Sequence, residues 1–253
     1  MRRLVYRWIF PMLGYACGIA SAGVERVEYD GAVYHLYRLD KTRFAELELV
    51  WPGKNGKPLG DFTALQKQMA DEGRKIVFAM NAGIYERGPK PLGLTISEGK
   101  ELVPLNLQNG EGNFYLKPNG VFYLDDANGA GVMEVGEFFR SGLKPRLATQ
   151  SGPLLLRKGI FHPAFKAGSP NKRLRNGVGV RSRDGQIIFA ISDRDDRERG
   201  RVTLHQFASF FLHLECLDAL FLDGDISDMV VEPGDNWKPV PNTFAAMFLI
   251  GRR

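Results

Sequence analysis

The stretch that most constrains the fold runs from Ala219 to Val231, Ala-Leu-Phe-Leu-Asp-Gly-Asp-Ile-Ser-Asp-Met-Val-Val. Ala219 to Leu222 are apolar and read as a short buried strand, and Asp223, Gly224, Asp225, Ser227 and Asp228 follow at once. A buried strand that ends in acids sets carboxylates on a rigid base at the edge of a core, where a scaffold can aim them. Gly224 permits a tight turn or the close approach of a ligand to the backbone. Three carboxylates within six residues repel one another, which raises at least one pKa and suits acid–base chemistry. The same letters also describe a solvated acidic turn. The rest of the chain has to separate the two readings.

The start of the chain sets its compartment. Arg2, Arg3 and Arg7 precede a mostly apolar run from Trp8 to Ile19, and Ala20-Ser21-Ala22 has the small-residue form of a cleavage site. Residues 1–22 therefore read as a secretory signal peptide, with 23–253 as one domain that is periplasmic or secreted. No stretch of membrane-spanning length remains after cleavage. Removal of three arginines and no acids lowers the formal charge from +5 to +2, 31 basic against 29 acidic residues, which gives no footing for nucleic-acid binding. Cleavage also removes Cys17 and leaves Cys216 alone, so no internal disulfide is expected and the apolar core must hold the fold. Cys216 is expected to be buried, on an apolar helix, rather than to act as a nucleophile.

Val27–Leu39 and Ala45–Val50 alternate apolar and polar residues and read as a hairpin. Asp61 caps a helix with Phe62, Leu65, Met69 and Ala70 on one face and Gly73 at its end. Ile76–Met80 is a buried strand that runs into Asn81-Ala82-Gly83-Ile84-Tyr85. Hairpins are expected at 93–96 with 101–103, at 113–117 with 121–125 across Pro118-Asn119-Gly120, and at 178–182 with 186–192 across Arg183-Asp184-Gly185. Short strands flank Gln150-Ser151-Gly152-Pro153, a short helix lies within 131–141, and 162–175 is irregular. Asp193–Arg201 reads as a solvated, self-paired charged loop. Thr203 and Gln206 form a capping box, and Leu204, Phe207, Ala208, Phe211 and Leu214 give the apolar stripe of the second helix. Phe244–Ile250 is a last buried strand. With no regular β-α-β alternation and no internal repeat, these elements predict a single α+β domain. Its sheet is mixed and mostly antiparallel, or a half-open barrel, with a few packed helices.

Three segments share one character, a buried strand meeting small polar residues: Asn81–Tyr85, Gln150–Pro153 and Asp223–Asp228. Arg175-Asn176-Gly177 opens a strand that carries Arg181. Together they predict one shared pocket, in which amides and carboxylates suit sugar hydroxyls and arginine suits phosphate. There is no Walker loop, no nucleophile elbow and no zincin motif, and the four histidines show no metal-ligand spacing. No cofactor is called for with certainty; Asp223, Asp225 and Asp228 could hold a hard divalent cation, Ca²⁺ or Mg²⁺.

These residues resemble the phosphodiester glycosidase family, over roughly Ile76 to Gly251. Asn81-Ala82-Gly83-Ile84-Tyr85 is similar to the family's Asn-Gly-Gly-Phe-Phe loop, and Gln150-Ser151-Gly152-Pro153-Leu154 to its Gly-Pro segment. Arg175-Asn176-Gly177-Val178-Gly179-Val180 is similar to its Arg-x-x-x-Gly strand, and Leu222-Asp223-Gly224-Asp225-Ile226-Ser227 to its Leu-Asp-Gly-Gly-x-Ser. Asp225 and Ala82 stand where the family has glycines, a change that narrows the room near a ligand. The resemblance implies an exported hydrolase of sugar phosphodiesters in an envelope or extracellular glycan. The alternative is a binding or envelope-assembly protein that keeps the pocket without catalysis. On this reading Asp223 is the principal carboxylate, with Asp225 and Asp228 as the other candidate acids. Arg175 or Arg181 holds phosphate. Asn81, Gly83, Tyr85, Gln150, Ser151, Gly152, Asn176, Asp193, Gly224 and Ser227 shape the substrate site.

Overall fold

The computed structural model describes residues 23–234 and 237–253, so the expected signal peptide lies outside the described residues. Among the described residues three larger sheets, a two-stranded ribbon of Tyr85–Glu86 with Lys90–Pro91 and three α-helices build one α+β domain, and every strand pair is antiparallel. The expected single α+β domain, mostly antiparallel, is present, its strands divided among separate antiparallel sheets that close no barrel among the described residues. The largest has seven strands in the order Glu25–Tyr29, Ala32–Leu39, Ile187–Ser192, Asn176–Arg181, Cys216–Asp223, Leu154–Arg157 and Ile160–Phe161. A five-stranded sheet runs Gly129–Glu134, Gly120–Asp125, Leu147–Ser151, Thr95–Ser97 and Lys100–Val103. A four-stranded sheet runs Met229–Val231, Lys75–Asn81, Met247–Arg252 and Glu48–Val50.

The inner faces of these sheets meet in one core. Tyr37, Val178, Phe189 and Leu222 come from the seven-stranded sheet, Phe78 and Phe248 from the four-stranded sheet, and Phe122 and Leu124 from the five-stranded sheet. Ring centroids lie 4.3 Å apart for Tyr37–Phe78, 4.8 Å for Phe78–Phe189 and 5.6 Å for Phe122–Phe248. Truncating one such ring costs about 3–5 kcal/mol, so this junction fixes how the sheets face one another. On the outer face of the large sheet lies helix α3 (Leu204–His213), whose Phe207, Phe210 and Phe211 pack on Tyr34, Ala219 and Phe221. Its capping box is present: Gln206 N donates to Thr203 Oγ1 at 3.0 Å and Thr203 N to Gln206 Oε1 at 3.1 Å. Gly177 and Gly179 let α3 settle close, because a Cβ there would meet Phe207 at 3.0 Å and Phe211 at 2.8 Å. Helix α1 (Phe62–Asp71) starts at Asp61, whose carboxylate accepts from Ala64 N at 2.7 Å, and covers the four-stranded sheet with Phe62, Leu65 and Met69. Helix α2 (Val135–Ser141) packs Phe138 against Tyr123.

Several sequence expectations are corrected. The first run is two strands, Glu25–Tyr29 and Ala32–Leu39, turned at Asp30 and Gly31, both with positive φ. Residues 45–50 do not pair with them; Glu48–Val50 joins the four-stranded sheet instead. Asn113–Tyr115 is a 3₁₀ turn, so the true partner of Gly120–Asp125 is Gly129–Glu134. Cys216 opens a strand rather than sitting on a helix. It is buried, and burial pushes its thiol up to about 12, which keeps it an inert hydrophobe. Among the described residues no helix is long and apolar enough to cross a membrane.

Candidate active site

Three strands end on one rim. Asn81 closes Lys75–Asn81, Asp223 closes Cys216–Asp223, and Ser151 closes Leu147–Ser151, while Asn176 opens the strand paired with Asp223. Ile76–Met80 and Ala219–Leu222 are apolar and buried up to Asn81 and Asp223, so packing of the interior fixes where those two polar termini emerge. Asn81 is the hub. Its Oδ1 accepts from Asn176 Nδ2 at 2.9 Å and from Asp228 N at 3.1 Å, and its Nδ2 donates to Asp223 Oδ2 at 3.4 Å. Asn176 Nδ2 also donates to Asn81 O at 3.1 Å. Ser151 Oγ donates to Leu222 O at 3.0 Å, and Thr149 Oγ1 to Ala82 O at 2.6 Å, which ties the third sheet to the same rim. Gly83, at φ 140°, passes close to Thr149 and Ser151.

Asp223 is half-buried, and one oxygen accepts from the Gly224 amide at 2.7 Å. Burial pushes its carboxyl up to about 7; the Gly224 amide opposes this, and the charge of Asp225 adds to it. An acid of that kind exchanges its proton near neutrality, as a general base or acid requires. Tyr85 is half-buried beside it. Burial first, and the Asp223 charge second, raise the phenol, so it remains a protonated donor. Burial likewise raises Asp228, against the opposing charge of Arg194. Two polar atoms of this shell, Asn176 Oδ1 and Ser227 Oγ, are buried without a partner among the described residues. Buried polar groups of that kind are costly unless water or a ligand satisfies them.

The acids do not form a metal site. Asp223 faces Asn81 and Gly224, Asp225 faces Arg173 and Leu174, and Asp228 accepts from Met229 N. Among the described residues no three His, Cys, Asp or Glu side chains are grouped to hold a cation.

Other sequence candidates are placed elsewhere or already occupied. Arg181 lies at the far end of the strand that Asn176 opens, five residues or about 16 Å away, and pairs with Asp184 at 2.6 Å. Gln150 is spent inside the protein: its Oε1 accepts from Leu94 N and Asn106 N, and its Nε2 donates to Asn106 O at 2.6 Å. Asp193 is turned to His35 at 3.2 Å. Burial opposes its ionisation, but the Asp195 and Asp196 amides and His35 outweigh that and hold it below the usual carboxylate range. Gly152 belongs to the scaffold, because a Cβ there would sit 2.7 Å from both Asn119 Cβ and Phe114 O. Arg175 is buried over the Phe221 ring, 5.3 Å from its centroid, and donates to Val202 O and Asn171 O at 3.3 Å. Burial lowers it to about 10, so it stays charged at neutral pH.

Two arginines escape the sequence reading. Arg173 is exposed and meets Asp225 at 3.4 Å. Arg194 donates to Ser227 O, so the loop expected to pair only with itself reaches across to the acid loop. Arg199–Asp196, at 2.7 Å, is the part of that loop that does pair internally. A cleft of about 1110 Å³ lies in a different place, lined by Trp51, Gln68, Ser97 and Lys144 among others. Its charges compensate one another, as in Lys54–Glu72 at 3.0 Å and Arg146–Asp126 at 3.1 Å, so it reads as a seam between sheets.

Fold and rim together define a class: an antiparallel α+β protein with one desolvated carboxylate on an amide-rich shelf. The model of the phosphodiester glycosidase family matches residues 74–247, and the chain belongs to that family. The Escherichia coli K12 protein YigE, itself uncharacterised, is 33% identical over 211 residues, covering 82% of this chain and 78% of its own. The fold is similar to the catalytic domain of zebrafish N-acetylglucosamine-1-phosphodiester alpha-N-acetylglucosaminidase, auto-inhibited by its pro-peptide. The TM-score is 0.61 at 17% identity, over 91% of this chain and 82% of that one. A hypothetical protein from Synechocystis is similar at a TM-score of 0.53 and 14% identity, over 91% and 61%. At those identities the two structures establish the fold alone.

Proposed function

We propose that this chain is an exported glycosidase that cleaves the bond between the anomeric carbon of a sugar and a phosphodiester oxygen. The observation that carries the reading is Asp223, a carboxyl raised to about 7 by burial and held by Asn81 and the Gly224 amide in a chain of this family. Departure of a phosphodiester needs little protonation, because the leaving oxygen is already a weak base. The demand falls on the positive charge that develops at the sugar and on the water that replaces phosphate. Ionised Asp223 serves both, as a nearby negative charge and as the acceptor of the water proton. Tyr85, Asn176 and Ser227 offer hydrogen bonds to sugar hydroxyls, and Arg173 presents its guanidinium to the phosphate. Asp228 and Arg194 hold the acid loop in register with Asn81. Export rests on Arg2, Arg3, Arg7 and the apolar run before Ala22.

The test is hydrolysis of the methyl diester of N-acetylglucosamine 1-phosphate, and of other sugar 1-phosphate diesters, in ¹⁸O-labelled water. Label in the sugar hydroxyl marks carbon–oxygen cleavage and supports the proposal. Label in the phosphate marks an ordinary phosphodiesterase and overturns it, as does absence of turnover with every sugar.

A further inference from the structure

Asp225 is the acid that the chemistry above leaves unused. Its Oδ2 meets Arg173 Nη1 at 3.4 Å and its Oδ1 accepts from Leu174 N at 3.3 Å, both long contacts. Both side chains are open to water, Arg173 at 59% and Asp225 at 55% exposure, and an ion pair of that kind is worth about 0–1 kcal/mol. A phosphoryl oxygen can therefore replace Asp225 on Arg173 at little cost. The guanidinium is nonetheless displayed from a fixed base, because Arg173 N donates to Val202 O at 3.0 Å and Val202 N to Arg173 O at 2.9 Å. Asp225 stands two residues from Asp223, and after burial its negative charge is a lesser influence that favours the protonated form of both Asp223 and Arg175.

We propose that Asp225 is a specificity-determining residue that discriminates phosphate by charge, admitting a singly charged diester and expelling the doubly charged monoester that the reaction leaves behind. The inference rests on the substrate class proposed above. Water adds to the anomeric carbon as the bond from that carbon to the phosphodiester oxygen breaks. The products are the free sugar and a phosphate monoester, which loses its second proton with a pKa near 6. Arg173 compensates the first phosphate charge. The second then faces Asp225. At about 6 Å and an effective dielectric of about 40, that repulsion weakens binding about tenfold. Product release and rejection of monoester substrates follow from the same carboxylate.

The experiment compares inhibition by methyl phosphate and by dimethyl phosphate in the wild type, Asp225→Asn and Asp225→Glu, at pH 8 and pH 5. Asp225→Asn should strengthen methyl phosphate relative to dimethyl phosphate about tenfold at pH 8. The gain should collapse at pH 5, where both probes carry one charge, and Asp225→Glu should behave as the wild type. A ratio that stays within twofold of the wild type overturns the inference, and so does a change of equal size at both pH values, which would mark a change of shape. The same ratio read as Kd by phosphorus NMR needs no turnover. Absence of hydrolysis would then remove the proposed function, while the charge discrimination stands or falls on the ratio.

Discussion

Replacing Asp223 by asparagine should destroy activity and stabilise the protein, and the two effects should part company with pH. The carboxyl is raised from 3.8 to about 7 in the folded chain, with burial as the first cause. Between those values the native state keeps a proton that the unfolded chain has lost. Native protein then binds more protons than unfolded protein, so stability falls as pH rises and the full cost applies above pH 7. Three pKa units correspond to about 4 kcal/mol. Asparagine removes the buried charge but gives up one acceptor, facing either Gly224 N or Asn81 Nδ2, at about 1 kcal/mol. Relaxation reduces the gain further, so a net stabilisation of about 1–3 kcal/mol at pH 8 is expected.

For a chain of this size that amounts to about 3–9 °C in Tm. Thermal unfolding of the wild type and Asp223→Asn from pH 4 to pH 8 reads it directly. The curves should meet near pH 4, separate steadily from there to about pH 7 and run parallel above it, with the variant higher. Turnover of a sugar phosphodiester should fall about 10²–10⁴-fold, the range for loss of an acid–base group. A variant that is less stable than the wild type at pH 8, or shifted equally at pH 4 and pH 8, would refute the claim that Asp223 is a desolvated acid. Full activity in folded Asp223→Asn would falsify its chemical role.

Asn81→Asp places a second carboxylate where the amide now donates to Asp223 at 3.4 Å; the two acids share charge, and the pH–rate profile should shift to higher pH as the Asp223 carboxyl rises further. Arg181→Gln should leave kcat/KM within about twofold, because its partner is Asp184 at the other end of the strand; a loss beyond tenfold would return Arg181 to the site. Gly152→Ala should cost at least about 2–3 kcal/mol in urea unfolding, since the added carbon would lie 2.7 Å from Phe114 O. N-terminal sequencing of protein recovered from the envelope fraction should begin near Gly23, and a retained Met1 in the cytoplasm would remove the case for export.

Local signals were legible. The Asp61 cap, the Thr203–Gln206 box and the polar ends of apolar strands are written in neighbouring residues, and each forms as the sequence predicts. Asp30-Gly31 and Asn128-Gly129 are turn signals of the same local kind, and each closes a hairpin between neighbouring strands. What could not be read is how polar groups far apart in the chain satisfy each other. Gln150 looks like a ligand-binding amide by its place beside Ser151-Gly152-Pro153. Its acceptor is taken by Leu94 and Asn106, 56 and 44 residues earlier. A buried amide takes whatever partner the tertiary fold brings, and sequence spacing carries no record of it.

The same limit explains the arginines. Arg175 and Arg181 stand on a recognisable strand and so attracted the phosphate-binding role, whereas Arg173 sits in an irregular, proline-bearing segment with no pattern of its own. In the folded chain the three arginines differ in what they touch. Arg175 is committed to Phe221 and two backbone carbonyls, Arg181 is paired 2.6 Å from Asp184, and Arg173 is the guanidinium left facing water beside the acid loop. A charge that must be given to a ligand cannot be spent on the scaffold, so a phosphate-binding arginine belongs where the local sequence is least regular. Asp225 holds that guanidinium without neutralising it tightly. That contact is what supports the proposal that Asp225 acts with Arg173 on phosphate rather than with Asp223 at the sugar.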